Sequence, residues 1–185
     1  MYFKAEPLMR TLEASSSLLL LVDFQTRLMP AIEDGAAAVE NARRLIVAAE
    51  LLGVPKLFTE QNADKLGATV PELPVTSDIV VDKSTFDALS APNFPRKALA
   101  DRTIVVTGCE AHVCVLQTVL SALDQNHRVF VVADATGSRT WLSKETALRR
   151  MERHGAEIVT TEMVLFEWLG ASTHPHFRDI AKLIR

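Results

Sequence analysis

The chain has 185 residues, 48% of them hydrophobic and 23% charged, with a formal net charge of −3. This is ordinary globular composition, which excludes disordered, collagenous and repeat-fibre classes, and a chain of this length buries roughly 70% of its unfolded surface. The mild negative balance points away from nucleic acid as a partner, and two cysteines are too few for a disulfide framework, which points to a reducing compartment.

Taken in chain order, the first apolar run is 18–22, Leu-Leu-Leu-Leu-Val, ended by Asp23. It is too short to span a bilayer, and the mixed charges before it do not read as a signal peptide, so a cytoplasmic protein without membrane attachment is expected. Val39, Ala42, Leu45, Ile46, Ala49 and Leu52 recur at helical spacing, with Gly53 placed as a C-terminal cap. Further strands are predicted at 55–59, 79–81, 103–107, 129–133 and 157–160. Most are continuous apolar runs, as parallel strands covered on both faces require. Helices are predicted through Val113, Leu116, Leu120 and Leu123, over 143–154, over 162–169 and in the stretch 174–184. The segment 163–169 is apolar nearly all round, so it is either buried or covers a partner.

This alternation predicts a three-layer, doubly wound α/β fold with right-handed crossovers. The seven glycines form no G-x-G-x-x-G, P-loop or G-x-S-x-G pattern, so dinucleotide, phosphate-cradle and nucleophile-elbow chemistry are not indicated. Ligands of such folds bind beyond the carboxyl ends of the strands, where strand order reverses.

Three strand ends carry reactive groups: Asp23 after the first strand, Lys83 after the third, and Cys114 in Gly-Cys-Glu-Ala-His-Val-Cys after the fourth. A cysteine in the first turn of a helix meets free N–H groups and the positive dipole end. Both favour thiolate, with pKa values of about 3.5–7.5 at such sites. In strand order 3-2-1-4-5-6, Asp23 and Cys114 face each other across the crevice. Lys83 starts two strands from the first, roughly 10 Å away, so its loop must lean back. Cys109 reads as core filler, and too few ligands surround it for zinc.

At these residues the sequence resembles the isochorismatase-like cysteine hydrolases. The matching pieces are 19–25, Lys83 with Phe86, 108–117 and 134–139; the segments around Thr59, Leu66, Thr69 and His174 look most like the isochorismatase domain-containing subgroup. The resemblance implies one hydrolase domain over 1–185, a six-stranded parallel sheet in order 3-2-1-4-5-6, and a catalytic triad of Asp23, Lys83 and Cys114. It also implies a non-proline cis peptide between Cys109 and Glu110, and an oxyanion hole from the backbone N–H groups of Glu110 and Cys114. A donor of that kind is worth about 3–4 kcal/mol.

The expected function is cysteine-dependent cleavage of a C–N, amide-type bond in a small molecule through a thioester. Phe24, Gln25, Glu60, Gln61, Phe86 and His112 are the pocket candidates. Asp134 and Arg139 are read as structural groups of the rim.

Nicotinamidases of the family carry an Asp-x-His metal cluster after the second strand. Here Thr59-Glu60-Gln61 stands there, so neither a metal nor another cofactor is expected. Isochorismatases proper cleave a vinyl ether without a cysteine nucleophile, and Cys114 argues against that reaction. Ala63 and Asp87 replace the Pro and Ser of the subgroup pattern. A homo-oligomer is expected. The alternatives are a non-catalytic binding protein that keeps the fold and a receiver-type phosphoacceptor, the latter lacking the acidic cluster that it needs after the first strand.

Overall fold

The computed structural model describes residues 11–75 and 80–184. Six parallel strands form one sheet in the order β3-β2-β1-β4-β5-β6. They are β1 (Ser17–Val22), β2 (Lys56–Gln61), β3 (Val80–Lys83), β4 (Thr103–Cys109), β5 (Val129–Gly137) and β6 (Glu157–Val159). The order reverses between β1 and β4, so the crevice falls at their carboxyl ends, as the alternation predicts.

Every residue of β1 is buried, and the two-residue period divides them between two cores. Leu19 and Leu21 pack on the face covered by α1 (Gly35–Leu52) and α5 (Thr161–Leu169). Leu18, Leu20 and Val22 pack on the other, beneath α3 (Leu116–Asp124) and α4 (Trp141–Arg153). A strand sandwiched in this way has no solvent face, which is why its sequence shows no alternation. Two short helices, α2 (Ala63–Leu66) and α6 (Phe177–Ala181), complete the set.

Several boundaries differ from the sequence reading. β2 runs to Gln61 and β3 to Lys83, and Ile79 lies outside the described residues. β4 extends to Cys109 and β5 to Gly137, because pairing resumes past an irregularity at Val106–Gly108, where Gly108 pairs with Thr136 and Cys109 with Gly137. The polar Asp134 and Thr136 hide that continuation from a hydrophobicity pattern. Thr160 is not the end of β6 but the N-cap of α5, its hydroxyl accepting from Met163 N at 3.3 Å. Likewise Thr140 caps α4, three residues before the predicted start at Ser143. The 174–184 stretch is helical only over α6. The apolar segment 163–169 is mostly an internal element: Val164, Leu165, Trp168 and Leu169 are buried in the α1 core, and Met163 and Phe166 stay exposed.

Candidate active site

Asp23 is the first residue beyond β1. Its backbone is left-handed at φ 52°, one of the few places a non-glycine residue adopts that conformation. Its N–H still donates to the Thr59 carbonyl at 3.1 Å, so the aspartate is held at the sheet edge as the chain turns away. On β2, Leu57 and Phe58 pack into opposite cores, so Thr59 and Gln61 fall by period two on the Leu57 side. On β3, Val81 belongs to that same core, and Lys83 follows two residues later. Cys114 packs there too. One face of one sheet edge thus holds Asp23, Thr59, Gln61, Lys83 and Cys114.

The contacts are short and closed to solvent. Lys83 Nζ lies 2.8 Å from Asp23 Oδ2, and the two side chains are 0% and 1% exposed. The same ammonium donates to Gln61 Oε1 at 2.8 Å and to the Thr85 carbonyl at 3.3 Å. The hydroxyl of Thr59 donates to Asp23 Oδ1 at 2.5 Å. The two-strand gap between β3 and β1 is closed by the lysine's own four-carbon stem.

Cys114 sits in a π-helical turn, Ala111–Val115, that feeds directly into α3. The N–H groups of Val113 and Val115 both turn back onto the Glu110 carbonyl, at 3.0 and 3.2 Å. Single π turns recur at functional positions because they rotate a side chain out of α-helical phase. The expectation of a thiol favoured as thiolate is corrected by its surroundings. Burial above all, then the Asp23 charge, pushes the Cys114 thiol up to about 12, and the Lys83 charge only partly opposes them. The resting group is therefore a thiol. Cys109, fully buried at the end of β4, is also pushed up to about 12, first by burial.

Gly108 makes the juxtaposition possible. It lies opposite Val22 in the β1–β4 ladder, at φ 135°, and an added Cβ would overlap the Val22 carbonyl. The Cys109–Glu110 bond that follows is cis.

The pocket candidates divide. Phe24 is a core residue on the α1 face, so it does not open to the crevice. Gln25 is fully buried and bonded to backbone: its Nε2 donates to Gln61 O and Gly67 O, and its Oε1 accepts from Gln61 N at 2.8 Å. Glu60 Oε1 accepts from both Thr69 N and Thr69 Oγ1, which ties down the 67–70 loop. These polar groups answer backbone demands, the usual fate of polar side chains at buried turns.

Gln61 reaches the charged pair as described, and its Nε2 also donates to Ser84 O at 2.9 Å. Phe86, just beyond Lys83, is 51% exposed. His112 Nδ1 is hydrogen-bonded to Ser138 Oγ at 3.0 Å and, with Leu116, Leu142 and Arg150, borders a shallow cavity of about 240 Å³ between α3 and α4. Cys114 is not part of that lining.

Asp134 and Arg139 are structural groups, but they do not pair with each other, and Asp134 lies within β5 and not in a turn. Arg139 pairs with Glu110 at 3.0 Å, while Asp134 Oδ1 accepts from Thr161 N and Oγ1 at the start of α5. Thr59 and Thr85 are the site residues the sequence reading missed; for Thr59 the usable signal was its period-two alternation with Gln61 beside β1. Among the described residues, no three His, Cys, Asp or Glu side chains gather around a common point, and no helix is long and apolar enough to cross a membrane.

The isochorismatase domain model matches residues 17–163, which spans every element that contributes to this edge. The chain belongs to the isochorismatase family. It is 36% identical over 184 residues to isochorismatase domain-containing protein 2 of Macaca fascicularis, covering 98% of this chain and 89% of that protein. It is 34% identical over 178 residues to isochorismatase domain-containing protein 1 of Danio rerio, covering 94% of this chain but only 62% of the relative's length. Among solved structures, the one described as the MAR1 ribonuclease of Caenorhabditis elegans superposes with a TM-score of 0.88 at 34% identity, over 94% of this chain and 92% of that one. The Escherichia coli YcaC gene product, described as an octameric hydrolase of unknown specificity, shares the fold at a TM-score of 0.79 and 22% identity, over 97% of each chain.

Proposed function

We propose that this family member is a cysteine hydrolase that cleaves a C–N bond of a small amide through a thioester. The observation that carries the reading is the sealed Asp23–Lys83 pair, whose charges both act on the Cys114 thiol. With the thiol protonated at rest, Asp23 takes its proton as sulfur attacks the carbonyl carbon. The backbone N–H groups of Glu110 and Cys114 receive the oxyanion. Asp23 returns the proton to the departing nitrogen as the C–N bond breaks. Water then attacks the thioester, giving the acid and restoring the thiol. Lys83, with three acceptors around its ammonium, acts through fixed charge and does not itself carry the proton.

No cofactor takes part in this scheme, and both cysteines are free, which suits a reducing, cytoplasmic setting. A homo-oligomer is part of the proposal. Trp141 and Leu142, 60% and 69% exposed at the start of α4, are the apolar side chains that assembly would cover. Light scattering reads the assembly directly, and a 20.4 kDa particle would count against it.

The function is tested by ammonia release from a panel of small amides. Cys114→Ala is expected to lose turnover with its circular dichroism intact. Undiminished turnover in that variant removes the mechanism. A folded wild type that hydrolyses nothing in the panel, and whose Cys114 resists alkylation, would instead fit a binding protein on the hydrolase fold.

A further inference from the structure

We infer that Thr59 and Gln61, neighbours on one face of β2, are positioning residues that set the protonation state in which the Asp23–Cys114 pair is reactive. The inference deepens the proposed mechanism and rests on it. Each carboxylate oxygen of Asp23 has a dedicated donor: Thr59 Oγ1 on Oδ1 at 2.5 Å and Lys83 Nζ on Oδ2 at 2.8 Å. Lys83 is aimed by Gln61 Oε1 at 2.8 Å, and Gln61 is in turn anchored through Nε2 to Ser84 O. The chain Ser84–Gln61–Lys83–Asp23–Thr59 is thus a closed line of hydrogen bonds across three strands. Ser84 at its end is exposed, but Gln61, Lys83, Asp23 and Thr59 are buried, where bonds to a charged group are at their strongest.

The titratable and charged groups facing Asp23 are Lys83 from β3, Cys114 from the π turn and Cys109 from the end of β4; the charge of Asp23 acts on both thiols. β2 contributes the neutral Thr59 and Gln61. A hydroxyl donor stabilises the ionised carboxylate, so its loss makes Asp23 hold its proton to higher pH. The reactive state has one proton on the Asp23–Cys114 pair. With a second proton on the pair, Asp23 has no lone pair free to act as base and sulfur is silent. The acid limb of Cys114 reactivity therefore reports how well Asp23 is held.

The experiment follows iodoacetamide modification of Cys114 against pH, with peptide-resolved mass spectrometry separating it from Cys109 and with a melting curve for each protein. Thr59→Val is expected to raise the midpoint of the acid limb by about one pH unit, the scale of one hydrogen bond to a charged group. Thr59→Ser should return it to the wild-type position. Gln61→Met, acting only through Lys83, should raise it by a smaller amount. Unmoved midpoints in proteins with lowered melting temperatures would overturn the inference and leave Thr59 and Gln61 as packing residues. If Thr59→Val does not fold, Thr59→Ala is judged by the same criterion. A folded wild type whose Cys114 shows no acid limb at all would instead remove the nucleophile reading on which the inference rests.

Discussion

Lys83 Nζ and Asp23 Oδ2 meet at 2.8 Å although their strands are separated by β2, and neither side chain is open to water. A pair this deep contributes little net stability, because desolvation offsets the attraction, yet breaking it leaves a bare charge inside the protein. Lys83→Met is therefore expected to cost about 3–5 kcal/mol in urea unfolding. Adding Asp23→Asn to it should recover part of that loss, since the stranded carboxylate is gone. A double variant less stable than Lys83→Met alone would show that the pair is not the source of the cost.

Asp23 has two opposed effects on Cys114. Its charge helps to push the thiol up to about 12, while in the proposed mechanism its lone pairs supply the base. In Asp23→Asn the opposing Lys83 charge is left alone with the sulfur, so thiolate should form at lower pH than in the wild type even as amide turnover falls by two or more orders of magnitude, roughly the size of a lost general base. Ultraviolet thiolate absorbance reads the first effect and ammonia release the second. A thiolate that forms no earlier in the variant would place the Asp23 charge out of range.

The fully buried Cys109 makes a separate prediction about alkaline stability. Its thiol is raised from 9.0 to about 12 in the folded protein, chiefly by burial. The unfolded chain releases that proton first, so this contribution to stability is whole below pH 9 and is lost as pH rises towards about 12. Urea midpoints of the wild type should fall across that window more steeply than those of Cys109→Ala. Equal slopes would show that burial of this thiol does not govern the alkaline limb.

Gly108 and Gly53 give a matched pair of substitutions. Both have positive φ, but a side chain at 108 would collide with the Val22 carbonyl, whereas one at 53 meets nothing within 4 Å. Gly108→Ala is expected to cost more than about 3 kcal/mol, because the ladder beside Asp23 must part. Gly53→Ala should cost only about 1 kcal/mol, the strain of a left-handed alanine. Thermal melts of the two variants check the contrast.

The apolar runs of β1 and β4 and the helical period of α1 are local signals, readable without coordinates because burial on both faces demands them. They were enough to place Asp23, Lys83 and Cys114 at strand ends, whereas the order of the sheet came with the resemblance to the isochorismatase-like hydrolases. The polar extensions of β2 and β5 were not legible. What holds Gln61 and Thr136 in strands is the neighbouring ladder and not their own hydrophobicity.

The chemistry of the thiol was misjudged for a related reason. Position in a helix start is a local property and argues for thiolate, whereas burial and the Asp23 charge are tertiary and outweigh it. The same distinction separates Phe24, a core residue, and Gln25 and Glu60, partners of backbone groups, from the pocket roles that nearness in sequence suggested for them.

Residue order by itself determined which reactive groups stand at strand ends, because strand polarity and connection rules leave few ways to lay out such a chain. Which of them touch, what surrounds them and where their protons rest was decided only by the folded molecule, because solvation and charge act through space over a few ångströms that sequence separation does not measure.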